Sequence, residues 1–235
     1  MDRIMRAVAI GWNSVNPSKY GGWAGPLPDC ELDAERAASM LRSKGIETII
    51  LLTKDATIDA CRDVLRKSLD GMKDGDWLIV WISGHGGQKR DRNGDEKDGL
   101  DEYVCAYDGP ILDDTINEWL NYVPNGVRVL WICDTCHSGT MMRSAPAFES
   151  GAIPTDFKGQ LILISGCTES GISMSSGRGG VLSTSLLKTG PEARTPKSWF
   201  DAARAIIDGQ EPQYVEYGNV TEDFRNGAII LRKEN

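Results

Sequence analysis

Apolar positions along the chain follow two rhythms. Short continuous runs rich in Val, Ile, Leu and Trp recur at 6–11, 46–52, 77–83, 127–133 and 160–165. Runs of that length are too short for an ordinary helix, and their composition suits strands buried on both faces. Between them the apolar residues are spaced by three and four. Leu32, Ala37, Met40 and Leu41 form one such set, and Ile58, Cys61, Val64, Leu65 and Leu69 a second. These spacings predict a helix from an Asp29 cap to about Ser43 and another over 57–72. Further helices are expected over 113–122, 181–189 and 198–208, and shorter strands over 103–107, 213–217 and 228–231. The polar, Gly- and Pro-bearing stretches 13–28, 87–102, 138–159 and 168–180 read as loops. The last two have the length of functional or cleavable segments. Strands alternating with helices predict an α/β fold around a mainly parallel sheet. No repeat or domain-sized linker divides the 235 residues, so a single domain, 1–235, is expected.

Composition narrows the function. The chain is 40% hydrophobic and 26% charged, with a net charge of −8. An acidic balance lacks the basic face of a nucleic-acid binder and is compatible with a cationic substrate. No apolar run reaches the ~18–20 residues of a membrane span. The N-terminus has no secretory cleavage pattern, and the six scattered cysteines (30, 61, 105, 133, 136, 167) suit reduced thiols. A cytoplasmic protein with neither nucleic-acid nor membrane partners is the expectation.

The chemistry is concentrated where two of the buried runs end. The run 77–83 leads into Ser83-Gly84-His85-Gly86-Gly87, and the run 127–133 into Asp134-Thr135-Cys136-His137-Ser138-Gly139. If those strands are neighbours in a parallel sheet, an imidazole and a thiol meet at the C-terminal edge, where open α/β sheets hold their ligands. A thiol attacking an amide needs a base to make it a thiolate, and the same base then protonates the leaving amine. The chain has two histidines. His137 directly follows Cys136, so in an extended strand its side chain leaves by the opposite face. His85 is therefore assigned as general base and acid, and Cys136 as nucleophile. Gly86 and the Cys136 backbone N–H are assigned as oxyanion donors, glycine allowing close backbone approach.

These two motifs together resemble the caspase-like cysteine peptidases, specifically the metacaspases and bacterial orthocaspases. The acidic stretch Asp91–Glu102 resembles the segment that follows the histidine in that family. His85 and Cys136 lie 51 positions apart, against about 50 in caspases. The resemblance covers roughly residues 1–170 and is looser beyond. It implies a caspase-like three-layer sandwich, with helices on both faces of the sheet. A large-subunit-like part would span about 1–140 and a small-subunit-like part about 160–235. It implies cleavage after Arg or Lys in protein or peptide substrates, by a monomer. Cys30, Asp33, Ser83 and Asp134 match the family's S1 pocket positions. A carboxylate at the base of a narrow pocket selects a cationic side chain and repels an acidic one.

The resemblance implies no cofactor for the chemistry but an activating Ca²⁺, with Asp98, Asp113 and Asp114 as ligands. The family's further acid, seven residues after the nucleophile, is replaced by Arg143. Residues 91–102 mimic an EF-hand loop only in part, since Glu96 stands where glycine is required. Arg143, Lys158 and Arg178, basic residues in the long loops, are candidate self-cleavage sites. Two readings from other classes compete. One is a catalytically silent caspase-like interaction module. The other is thiol–disulfide or c-type haem chemistry at Cys133-Asp134-Thr135-Cys136-His137, which satisfies C-x-x-C-H.

Overall fold

The computed structural model describes residues 3–90, 100–136, 157–166, 179–192 and 194–229, with backbone alone at Leu100 and Cys136. Its centre is an eight-stranded sheet. In chain order the elements are β1 (Met5–Gly11), α1 (Cys30–Ser43), β2 (Glu47–Leu52), α2 (Ile58–Leu69), β3 (Trp77–Arg90), β4 (Leu100–Ala106), β5 (Gly109–Leu112), α3 (Asp113–Leu120), β6 (Arg128–Cys136), β7 (Gln160–Ser165), α4 (Val181–Thr189), α5 (Pro196–Arg204), β8 (Gln213–Gly218) and α6 (Glu222–Asn226). The main path runs β2-β1-β3-β6-β7-β8. Its first five strands are parallel, and β8 closes the edge antiparallel to β7.

Alternation along the strands produces two cores. Leu78, Val80, Ile82, Val129, Trp131 and Cys133 face α2 and α3, packing with Cys61, Leu65, Ile116 and Trp119. Trp77, Ile79, Trp81, Leu130 and Ile132 face the other way, against Ala34, Ala37, Ala38 and Leu41 of α1 and Leu182, Leu186, Trp199 and Phe200 of α4 and α5. The expected three layers are present. Each fully buried large side chain contributes about 1.5–3 kcal/mol relative to exposure, so the continuous apolar runs are what hold the strands between helices. The alanine face of α1 lets that helix sit close to the sheet. A Cβ on Gly11 would lie 2.3 Å from the Cys30 carbonyl oxygen.

Several expectations are corrected. Asp29 makes no side-chain cap on α1. Asn13 does that work from the preceding loop, its Oδ1 accepting from the Glu31 N–H at 2.8 Å and its Nδ2 donating to Glu31 at 3.0 Å. The stretch read as loop from residue 87 is strand as far as Arg90, because β3 pairs antiparallel with β4 from Gly86 to Arg90. The polarity of Gln88-Lys89-Arg90 reflects a half-exposed hairpin arm, not a turn. The four-residue β5, holding Pro110, and the short α6 were not anticipated, being below the length at which periodicity shows. The last predicted helix begins and ends earlier, at Pro196–Arg204, with a Thr195–Ser198 capping box. Residues 228 and 229 are not strand, and 230–231 lie outside the described residues.

Candidate active site

β3 and β6 are adjacent and parallel, in the register Ser83↔Asp134, Gly84↔Thr135, His85↔Cys136. The imidazole-bearing residue and the cysteine are therefore direct partners across strands about 4.8 Å apart. Among the described residues the pairing ends there. β3 pairs with β1 only to Ser83 and with β6 only to His85, then turns its pairing to β4 at Gly86. His85 thus sits where the sheet divides. Gly86 fits tightly beside β6, since an added Cβ would lie 3.2 Å from Thr135 Oγ1.

His85 is 5% exposed, and neither ring nitrogen has a hydrogen-bond partner among the described residues. Its ring packs against Trp23, centroids 5.0 Å apart and planes tilted by 52°. Burial lowers its pKa below the ordinary histidine value. The Gly25 carbonyl works the other way, near enough to favour the protonated ring although its geometry falls short of a hydrogen bond. Neither Trp23 nor Gly25 was marked by the sequence, where both lay in a stretch read only as loop.

The S1 candidates converge. Asp33, on the first turn of α1, is fully buried. Its Oδ2 accepts from Ser83 Oγ and from the Gly180 N–H, both at 2.9 Å, while Oδ1 is buried without a partner among the described residues. Burial, and secondly the charge of Asp134, push the Asp33 carboxyl up to about 7. Asp134 is 1% exposed. One of its oxygens accepts from the Ser183 N–H at 2.7 Å, so it caps α4, whose own cap position is a glycine. Ser183 Oγ in turn receives the Trp81 indole N–H at 3.1 Å. Cys30, the first residue of α1, is buried beside this group in sequence and 3% exposed. The sequence missed Gly179, Gly180 and Ser183. Gly179 has φ +124°, and an added Cβ would lie 2.2 Å from Asp33 Oδ1; at Gly180 it would lie 2.1 Å from Asp134 Oδ2. The available signal was a Gly-Gly pair directly before an apolar helix.

Cys133 belongs to the other face. It lies in the core with α2 and α3, and its register partners are Ile82 and Ser165. Three residues along an extended strand span ~10 Å, beyond the ~7 Å Cα separation a disulfide tolerates. Replacing Cys133 with Ser is expected to leave thiol-dependent activity intact. Chemical denaturation should register a stability loss of about 1–3 kcal/mol for the buried hydroxyl. Loss of activity in a folded Cys133→Ser protein would reinstate C-x-x-C chemistry.

Residues 5–145 match the metacaspase, peptidase C14 domain. The chain belongs to the metacaspase family. Metacaspase-3 of Arabidopsis thaliana is 35% identical over 152 residues, 58% of this chain and 40% of that protein. Metacaspase-1 of Candida glabrata is 36% identical over 152 residues, 58% of this chain and 37% of that protein. The chain thus spans about two fifths of the length of the curated relatives it matches. Among solved structures, protein GSU0716 from Geobacter sulfurreducens superposes with a TM-score of 0.81 at 31% identity, covering 94% of this chain and 96% of that one. The metacaspase match ends before α4, so the contacts that Gly180 and Ser183 make with Asp33 and Asp134 come from outside the matched segment.

The metal and self-cleavage candidates among the described residues are Asp113, Asp114 and Lys158. Asp113 and Asp114 open α3, where Asp113 Oδ1 accepts the Asp114 N–H at 2.9 Å. Asp98 lies outside the described residues, as do Arg143, Arg178 and His137. Among the described residues no three His, Cys, Asp or Glu side chains group as a metal site requires. Taken alone, they do not make up the Ca²⁺ set implied by the family. Glu102 lies in β4 opposite Gln88, in a hairpin without the helices of an EF-hand. Lys158 is exposed and its carbonyl accepts the Gly126 N–H at 3.0 Å, just before β6 and β7 begin. It is therefore about 25 Å along the sheet from Cys136. No described helix is long and apolar enough to cross a membrane.

Proposed function

We propose that this chain is a cysteine endopeptidase that hydrolyses peptide bonds after Arg or Lys. The observation that carries the reading is the direct pairing of His85 with Cys136 where β3 and β6 stop pairing. In the proposed cycle His85 takes the Cys136 thiol proton. The thiolate forms a C–S bond to the scissile carbonyl carbon while the C–N bond breaks, and His85 passes its proton to the departing amine. Water, deprotonated by His85, then hydrolyses the acyl-enzyme and the thiol recovers its proton. The N–H groups of Gly86 and Cys136 are the proposed donors to the oxyanion.

Specificity for a cation is supported by Asp33. Its unpartnered Oδ1 is a buried acceptor that a guanidinium or ammonium donor would satisfy, and leaving it unsatisfied is costly. An acidic side chain would meet the Asp33–Asp134 pair and be repelled. Activation by Ca²⁺ is kept as an arm of the test, with no step of the chemistry routed through the ion. Fluorogenic peptides with Arg, Lys, Asp or a neutral residue before the scissile bond, each run with and without Ca²⁺, decide the matter. Turnover of the Arg and Lys peptides alone is expected. Preference for Asp would overturn the specificity. No turnover in either condition, with no labelling by a thiol-reactive Arg-peptide probe, would favour the silent interaction module.

A further inference from the structure

We propose that Trp23 is a positioning residue that holds the His85 imidazole in its working orientation. The inference rests on the dyad reading above and adds a residue to it.

A general base is normally oriented by a hydrogen bond on its second nitrogen. Among the described residues no hydrogen bond of good geometry holds the His85 ring; the Gly25 carbonyl acts on it from close by, and packing supplies the rest of its orientation. Trp23 is the aromatic side chain against it. The loop that delivers Trp23 is fastened at several points. The Asn16 N–H donates to the Tyr107 carbonyl at 2.8 Å, Val15 N–H to Ala24 carbonyl at 2.9 Å and Leu27 N–H to Asn13 carbonyl at 2.8 Å. The Tyr20 hydroxyl donates to the Ala106 carbonyl at 2.8 Å, tying the loop to the end of β4. Tyr20 also meets the Trp23 ring edge-on, 6.1 Å between centroids. Gly25, φ +51°, gives the indole its place, for a Cβ there would lie 2.9 Å from Trp23 Cη2. One pinned loop therefore supplies both the ring that packs on His85 and the Gly25 carbonyl beside it.

Trp23 acts on His85 in two opposed ways. Excluding water disfavours the imidazolium, by up to several pKa units for a fully buried group. The indole π-face favours a cation by about 0.5–1 kcal/mol, less than one unit. Exclusion is the larger effect, in keeping with the lowered pKa of His85. The charged or titratable neighbour across the strand pair is Cys136, and its influence is removed in the test by substitution.

The experiment follows the His85 imidazole by NMR in a Cys136→Ala, His137→Gln protein, in which His85 is the sole histidine. Trp23→Ala should raise the His85 pKa toward about 6.5, with Trp23→Phe between it and the parent. In the active-thiol background, Trp23→Ala should lower kcat about 100-fold with KM nearly unchanged, and Trp23→Phe should recover most of it. An unmoved His85 titration in folded Trp23→Ala overturns the proposal whether or not any peptide is cleaved. Failure of the parent enzyme to cleave peptides would instead strike the dyad reading, leaving the titration to decide the role of Trp23. A fall in kcat shared equally by Trp23→Phe and Trp23→Ala, with no change in titration, also overturns it.

Discussion

Replacing Cys136 with Ala is expected to lower cleavage of an Arg reporter peptide by about four orders of magnitude or more, and His85→Ala to do nearly the same. Groups that act as one unit show non-additive losses. The double variant should accordingly be no slower than the worse single variant, within error. The register is the reason: His85 and Cys136 are a cross-strand pair, so removing either leaves the other with nothing to exchange a proton with. Cys136→Ala removes a single heavy atom and His85 belongs to neither apolar core, so thermal melts should stay close to the parent. Single-turnover kinetics on the reporter measure the loss. Wild-type-like turnover by either variant would remove that residue from the mechanism.

Asp33→Asn is expected to change activity and stability in opposite directions. In the folded protein the carboxyl is pushed up to about 7 by burial and by Asp134, against ~3.9 in an unfolded chain. Below pH 4 both states hold the proton and Asp33 costs nothing. As pH rises from about 4 to about 7 the unfolded state ionises first, so folding stability is lost; above about 7 the loss is complete. Its full size is on the order of 2–4 kcal/mol. Asparagine keeps the acceptor for Ser83 and Gly180 and turns an amide N–H₂ toward the position of the unpartnered Oδ1. Asp33→Asn should therefore melt about 5 °C or more above the parent at pH 8 and nearly level with it at pH 4. The same change removes a charge-assisted hydrogen bond to the cationic substrate, worth about 1.5–3 kcal/mol, so kcat/KM for the Arg peptide should drop 10- to 100-fold. In the parent, kcat/KM for Arg should rise through about pH 7 as Asp33 ionises, while a neutral peptide should not show that limb. A destabilised Asp33→Asn at pH 8 would contradict the burial argument.

The strand runs and helical spacings were legible because each element buries its own apolar residues, and period is a local property. Ser83-Gly-His-Gly-Gly and Asp-Thr-Cys136-His-Ser-Gly were legible as chemistry because few other uses require those residue types at a strand end. Gln88-Lys89-Arg90 misled for the same local reason. Their strand character comes from pairing with residues 100–102, across the strand pair and not from their own neighbours in sequence. Trp23 was invisible as part of the site because an aromatic residue among Gly and Pro has no period. Its contact with His85 spans 62 positions.

By itself the sequence marked His85 and Cys136 as candidates for thiol chemistry and Asp33 and Asp134 as candidates for cation recognition, and showed that buried strands would carry His85, Ser83, Asp134 and Cys136 toward an edge. It did not determine that β3 lies beside β6, with β4, β5 and α3 passed over between them, nor that Asp33 of α1 meets Gly180 before α4. Nor did it determine that Cys133 would pack in the core shared with α2 and α3. Those facts come from the tertiary structure, because strand order and register are selected by how both faces of the sheet are covered at once. A slip of one residue would carry every side chain of a strand to the opposite core.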